Sequence, residues 1–112
     1  MTTETREAAL ARLGRALADP TRCRILVALL EGPDYPAQLA KRLGLTRSNA
    51  SNHLSCLRGC GLVVATGEGR QVRYEIADRH LTRALRELLD VVLAVEPGVA
   101  CADDEPARAG VR

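Results

Sequence analysis

Tyr35-Pro36-Ala37-Gln38-Leu39-Ala40-Lys41-Arg42-Leu43-Gly44-Leu45-Thr46-Arg47-Ser48-Asn49-Ala50-Ser51-Asn52-His53-Leu54-Ser55-Cys56-Leu57-Arg58-Gly59-Cys60-Gly61 is the stretch that decides the fold. Pro36 occupies a first helical position, where its missing N–H costs nothing, and Gly44 supplies the left-handed residue that ends a helix. Thr46 then caps a second helix that Gly61 stops. Two short helices joined through Gly44-Leu45 read as a helix-turn-helix. At ~100° per residue, Ala50, Leu54 and Leu57 share the core face of the second helix, with Ser48, Asn52, Ser55 and Gly59 opposite. Cys56 and Cys60 fall on the shoulder between the two faces.

Upstream, Leu10, Leu13 and Leu17 mark a helix over Glu7 to Ala18. Asp19-Pro20 opens another, with Ile25, Leu26, Leu29 and Leu30 as its apolar face, ending at Gly32-Pro33. Downstream, the β-branched run Leu62 to Thr66 and the alternating Gln71 to Ile76 flank the turn Gly67-Glu68-Gly69-Arg70, a β-hairpin placed as a wing. Asp78 caps a last helix, Arg79 to Val95. Its stripe Leu81, Leu85, Leu88 and Val92 is widened by Leu89, Val91, Leu93 and Val95, more apolar surface than one small domain can cover, so a second copy is expected against it. The expected fold is mainly α with a small β-hairpin, a winged helix-turn-helix forming a homodimer through its terminal helices. Residues 1–96 make the domain, and Glu96-Pro97-Gly98 leads into a flexible tail, 97–112, that carries Cys101.

A chain of 112 residues has room for one domain and not for a deep cleft between lobes. The formal charge of +2 is too small to argue for nucleic acid, so the placement of the arginines must. No apolar signal segment follows the charged start, so the four cysteines read as reduced thiols in a cytoplasmic protein. The longest apolar run, within Leu88 to Val95, is far short of a membrane span.

Small polar side chains at the front of a helix suit base edges in the major groove, since Asn pairs with adenine and Ser with several bases. The helix N-terminus suits phosphate. The residues assigned to double-stranded operator DNA are Thr46, Arg47, Ser48, Asn49, Ser51 and Asn52 on the helix, with Arg70, Gln71 and Arg73 on the hairpin. Arg47, Arg58, Arg70 and Arg73 would supply sequence-blind affinity.

Leu17-Ala18-Asp19-Pro20-Thr21-Arg22, then Ser51-Asn52-His53-Leu54 with Leu57-Arg58 and Gly61-Leu62-Val63, then Gly69-Arg70 followed by Tyr74, resemble the ArsR/SmtB family of metal-responsive winged-helix repressors. The match runs from the first helix to Val95. Thiols at Cys56 and Cys60 on the recognition helix, with Cys101 in the tail, look like the cadmium and lead sensors of that family. Thiolates at i and i+4 can close on one soft ion, and three sulfurs without a carboxylate suit a large soft ion better than zinc. The resemblance implies Cd(II) or Pb(II) as the regulatory ligand, with Cys101 delivered by the other protomer; the residues leave open which chain supplies it. His53 reads as a packing or phosphate contact, and Cys23 as a core residue. Asp78-Arg79-His80 resembles half of another family metal site, but Val91 and Ala94 stand where its second pair would be. The cysteine box of arsenic sensors is missing from Asp34 to Leu43.

The expected function is a metal-sensing transcriptional repressor that holds operator DNA without metal and leaves it when the ion binds. A thiol redox sensor or arsenite sensor of the same fold is the alternative. A Cys56–His53 thiol enzyme is not expected, because no oxyanion site or substrate cleft is evident.

Overall fold

The structure, a computed structural model, describes residues 3–95. The element order is α1 (Arg6–Leu17), α2 (Pro20–Leu29), α3 (Pro36–Leu43), α4 (Arg47–Gly59), β1 (Val63–Glu68), β2 (Gln71–Ile76) and α5 (Arg79–Ala94). This is the expected winged helix-turn-helix. Cys101 and the rest of 97–112 lie outside the described residues.

The helix starts follow local chemistry. Asp19, Thr46 and Asp78 each accept a hydrogen bond from the backbone N–H three residues on, at Arg22 (3.0 Å), Asn49 (3.0 Å) and Leu81 (2.9 Å). Thr5 does the same for α1, through Ala8. Gly44, at φ 69°, closes α3 in the left-handed region, and the Leu45 N–H then reaches the Ala40 carbonyl at 2.8 Å. That turn aims α4 away from α3.

The core lies between α2, α3, α4 and the hairpin. Ile25, Leu39, Leu54, Leu57 and Val63 are its largest fully enclosed side chains. The α4 wheel is realised, with Ala50, Leu54 and Leu57 buried and Ser48, Asn52, Ser55 and Gly59 exposed. β1 and β2 pair antiparallel from Val63↔Ile76 to Glu68↔Gln71. The turn is therefore the two residues Gly69-Arg70, tighter than the four-residue turn read from the sequence. Gly69 takes φ 63°, which matches hairpin twist in short turns. At the other end the hairpin is tied to the α2–α3 connection, where Asp34 and Tyr74 exchange both backbone hydrogen bonds at 2.9 and 2.8 Å.

The terminal helices leave apolar surface open. Leu10, one of the three leucines that mark α1, is 70% exposed, while Ala16 is the buried residue there. Along α5 only Leu85 is buried, and Leu88, Val91, Val92 and Leu93 are 46 to 81% exposed. Among the described residues no element is left to cover these faces. No helix among the described residues is long and apolar enough to cross a membrane.

Candidate nucleic-acid interface and thiol site

Thr46, Arg47, Ser48, Asn49, Ser51 and Asn52 form the exposed start of α4. The first turn of α4 contains no acidic residue, so its free N–H groups and partial positive charge face solvent unopposed. Arg70 stands at the hairpin tip and Gln71 beside it, both exposed. Arg73 is different. It is half-buried, with Nε 3.3 Å from Glu68 Oε2 and Nη2 3.9 Å from Glu75 Oε2. Its charge is already matched within the hairpin, which the reading of Arg73 as a free phosphate contact did not include.

Cys56 and Cys60 are free thiols one helical turn apart, Cys56 exposed and Cys60 half-buried at the end of α4. Helical geometry puts their β-carbons ~6 Å apart, close enough for two thiolates to share one ion. Among the described residues no three His, Cys, Asp or Glu side chains come together as a metal-binding group. His53 therefore does not complete a set with the two thiols. It is half-buried and near Asp19, whose carboxyl is held below its ordinary range mainly by the Arg22 backbone N–H, with His53 a smaller influence. A third thiolate, imidazole or carboxylate donor is therefore not assembled beside the two thiols among the described residues. Cys23 Sγ lies 3.0 Å from the Leu17 carbonyl, in an apolar groove between α2 and α5 shared with Leu26, Leu30 and Leu89. It is half-buried and lines that groove instead of joining the buried core, where the sequence reading put it.

The end of α4 is held from an unexpected direction. Cys60 and Gly61 N–H groups bond back to the Cys56 and Arg58 carbonyls, both at 3.0 Å, and Gly61 takes φ 81°. That leaves the Cys60 carbonyl free, and the Arg12 guanidinium of α1 donates to it. Glu4 grips the same guanidinium with both oxygens at 3.0 Å, and this hydrogen bond is the main cause that lowers the Glu4 carboxyl below its usual range. Nothing in the sequence marks this contact, because its partners stand 48 residues apart and the acceptor is a backbone atom.

Residues 19–64, from the α2 cap into the first strand, match the family described as "Bacterial regulatory protein, arsR family". The chain is 73% identical over 107 residues to the HTH-type transcriptional regulator CmtR of Mycobacterium tuberculosis, covering 96% of this chain and 91% of that protein. It resembles the NMR structure of the cadmium metal-sensor CMTR from Mycobacterium tuberculosis with a TM-score of 0.66 at 77% identity, over 82% of this chain and 96% of the other. The homodimeric winged helix-turn-helix domain Mb0332 of Mycobacterium bovis, a possible ArsR-family regulator, gives a TM-score of 0.69 at 32% identity, over 93% and 86% of the two chains. With its capped reading helix, its hairpin wing and this degree of likeness along nearly its whole length, the chain belongs to the arsR family of bacterial regulatory proteins.

Proposed function

We propose that the chain is a cytoplasmic, homodimeric repressor that holds operator DNA when metal-free and releases it when Cys56, Cys60 and Cys101 bind a soft ion, Cd(II) or Pb(II). The observation that carries this reading is the placement of two free thiols on the same helix that presents Ser48 and Asn52 to solvent. An ion that fixes the end of α4 biases the position of its front, and a ligand with different affinities for two positions couples the sites. The similar Mycobacterium tuberculosis protein described as a cadmium sensor supports the choice of metal. The open faces of α1 and α5, with the homodimeric relative, support a second copy as their cover. Residues 1–96 act as the DNA-binding and dimerising unit, and 97–112 bring the third thiol.

Titrating the reduced protein with Cd(II) tests the reading. Sulfur-to-metal charge-transfer absorption corresponding to three thiolates, appearing with the same ion equivalence as loss of the operator mobility shift, is the expected result. Absorption without release would separate the thiols from the DNA response and sink the reading.

Two surface substitutions should divide the DNA contacts. Asn52→Ala is expected to lower the preference for operator over random DNA by roughly 1 to 3 kcal/mol, the size of a base contact. Arg70→Ala should weaken both DNAs alike and reduce the salt slope by about one unit. Competition binding at several salt concentrations reads both, and equal losses on the two DNAs for Asn52→Ala would remove it from base reading.

A further inference from the structure

The hairpin carries an arrangement that DNA affinity alone would not favour: a carboxylate held against one of its arginines. Glu68, the last residue of β1, accepts a hydrogen bond from the Tyr35 hydroxyl at 2.8 Å while its other oxygen faces Arg73 at 3.3 Å. Tyr35 is the residue that precedes α3, and its neighbour Asp34 is joined to the hairpin through Tyr74. The carboxylate is therefore anchored to the helix-turn-helix at one oxygen and engages the wing's arginine with the other. The phenol's hydrogen bond to Glu68 is also the largest cause that raises the Tyr35 hydroxyl above its ordinary range. Arg73 Nε is buried yet finds no aligned hydrogen-bond acceptor, so the pair is held by charge and proximity rather than by a directed bond. An ion pair of that kind, with both side chains more than a third exposed, is worth little in water. With Tyr35 holding the carboxylate in place, however, a DNA phosphate must first displace Glu68 to reach the same guanidinium.

We propose that Glu68, positioned by Tyr35, restrains Arg73 and keeps it from DNA phosphate, so that the wing's resting affinity for DNA rests on Arg70 and Arg73 is a contact held in reserve. Glu68 is thus a positioning residue that sets how tightly, and with how much salt dependence, the wing grips the backbone. The inference rests on the reading of the hairpin as a DNA-contacting wing.

A double-mutant cycle on operator DNA, with affinity measured across salt concentrations, tests it. Glu68→Gln removes the charge and frees Arg73; it should bind roughly three- to tenfold tighter at low salt, with the salt slope steeper by about one unit. Arg73→Gln in the parent should leave the slope nearly unchanged, and in the Glu68→Gln background it should abolish the gain. Glu68→Asp keeps the charge but shortens the reach to both partners, and should show part of the gain. If Glu68→Gln gains as much with Arg73→Gln as without it, or if Glu68→Asp gains nothing, Glu68 acts as simple repulsion and the restraint is overturned. A slope loss of about one unit for Arg73→Gln alone overturns it as well, because Arg73 would already be on phosphate. A parent protein that fails to shift operator DNA at low salt overturns the wing reading itself, and this inference with it.

Discussion

Cys56→Ser and Cys60→Ser chains are expected to hold operator DNA as the parent does and to go on holding it when Cd(II) is added. Cys56 is exposed and both thiols lie off the base-reading face, so their removal takes nothing from the contacts of Ser48 or Asn52. What disappears is the coupling, of the order of 1 to 3 kcal/mol, or about a 5- to 150-fold weakening of DNA binding by metal in the parent. Mobility shift with and without the ion measures the difference. Mixed dimers sharpen it: a Cys101→Ser chain paired with a Cys56→Ser, Cys60→Ser chain retains one complete three-thiolate site if Cys101 crosses between protomers, and none if it stays within its own chain. Loss of metal-free DNA binding in the single variants, on the scale of the lost metal response, would show the thiols to be structural instead.

Leu54→Ala is expected to cost about 3 to 5 kcal/mol of folding stability, read as a lowered midpoint in urea or thermal unfolding. Leu54 has no exposed surface and sits with Ile25, Leu39 and Leu57 where α4 meets the core. In a small domain whose whole stability is roughly 5 to 15 kcal/mol, such a loss empties a large part of the margin. Leu10→Ala makes the contrast, since Leu10 is 70% exposed on a single chain. Its effect should be small in a monomer and should grow with protein concentration if a second copy covers α1. A loss below about 1 kcal/mol at Leu54 would mean that α4 is not held by the packing described.

What could be read from the sequence was whatever is decided within a few residues. Asp19-Pro20, Gly44, Thr46 and Asp78 fix helix ends through their own side chains or backbone freedom, and each stands where it was placed. The faces of α4 followed from periodicity, which is also why the two thiols and the polar front were legible together. The exposure of Leu10 was not legible, because periodicity finds an apolar face without saying whether the same chain covers it. The engagement of Arg73 was missed for another reason: Glu68 becomes its diagonal cross-strand neighbour only in the register of a two-residue turn, and the Tyr35 bond that holds Glu68 spans 33 residues. Cys101 lies outside the described residues, so the third thiol rests on the sequence and the resemblance.

The Arg12 contact ties the thiol-bearing end of α4 to the first helix. What Arg12 grips is the carbonyl of residue 60, not its side chain, and what steadies Arg12 is Glu4. The grip on the helix end therefore depends on the pair at positions 4 and 12, whereas the side chain at position 60 takes no part in it and packs instead against the core. A substitution at Glu4 or Arg12 would thus loosen the helix end that displays the thiols without touching either sulfur.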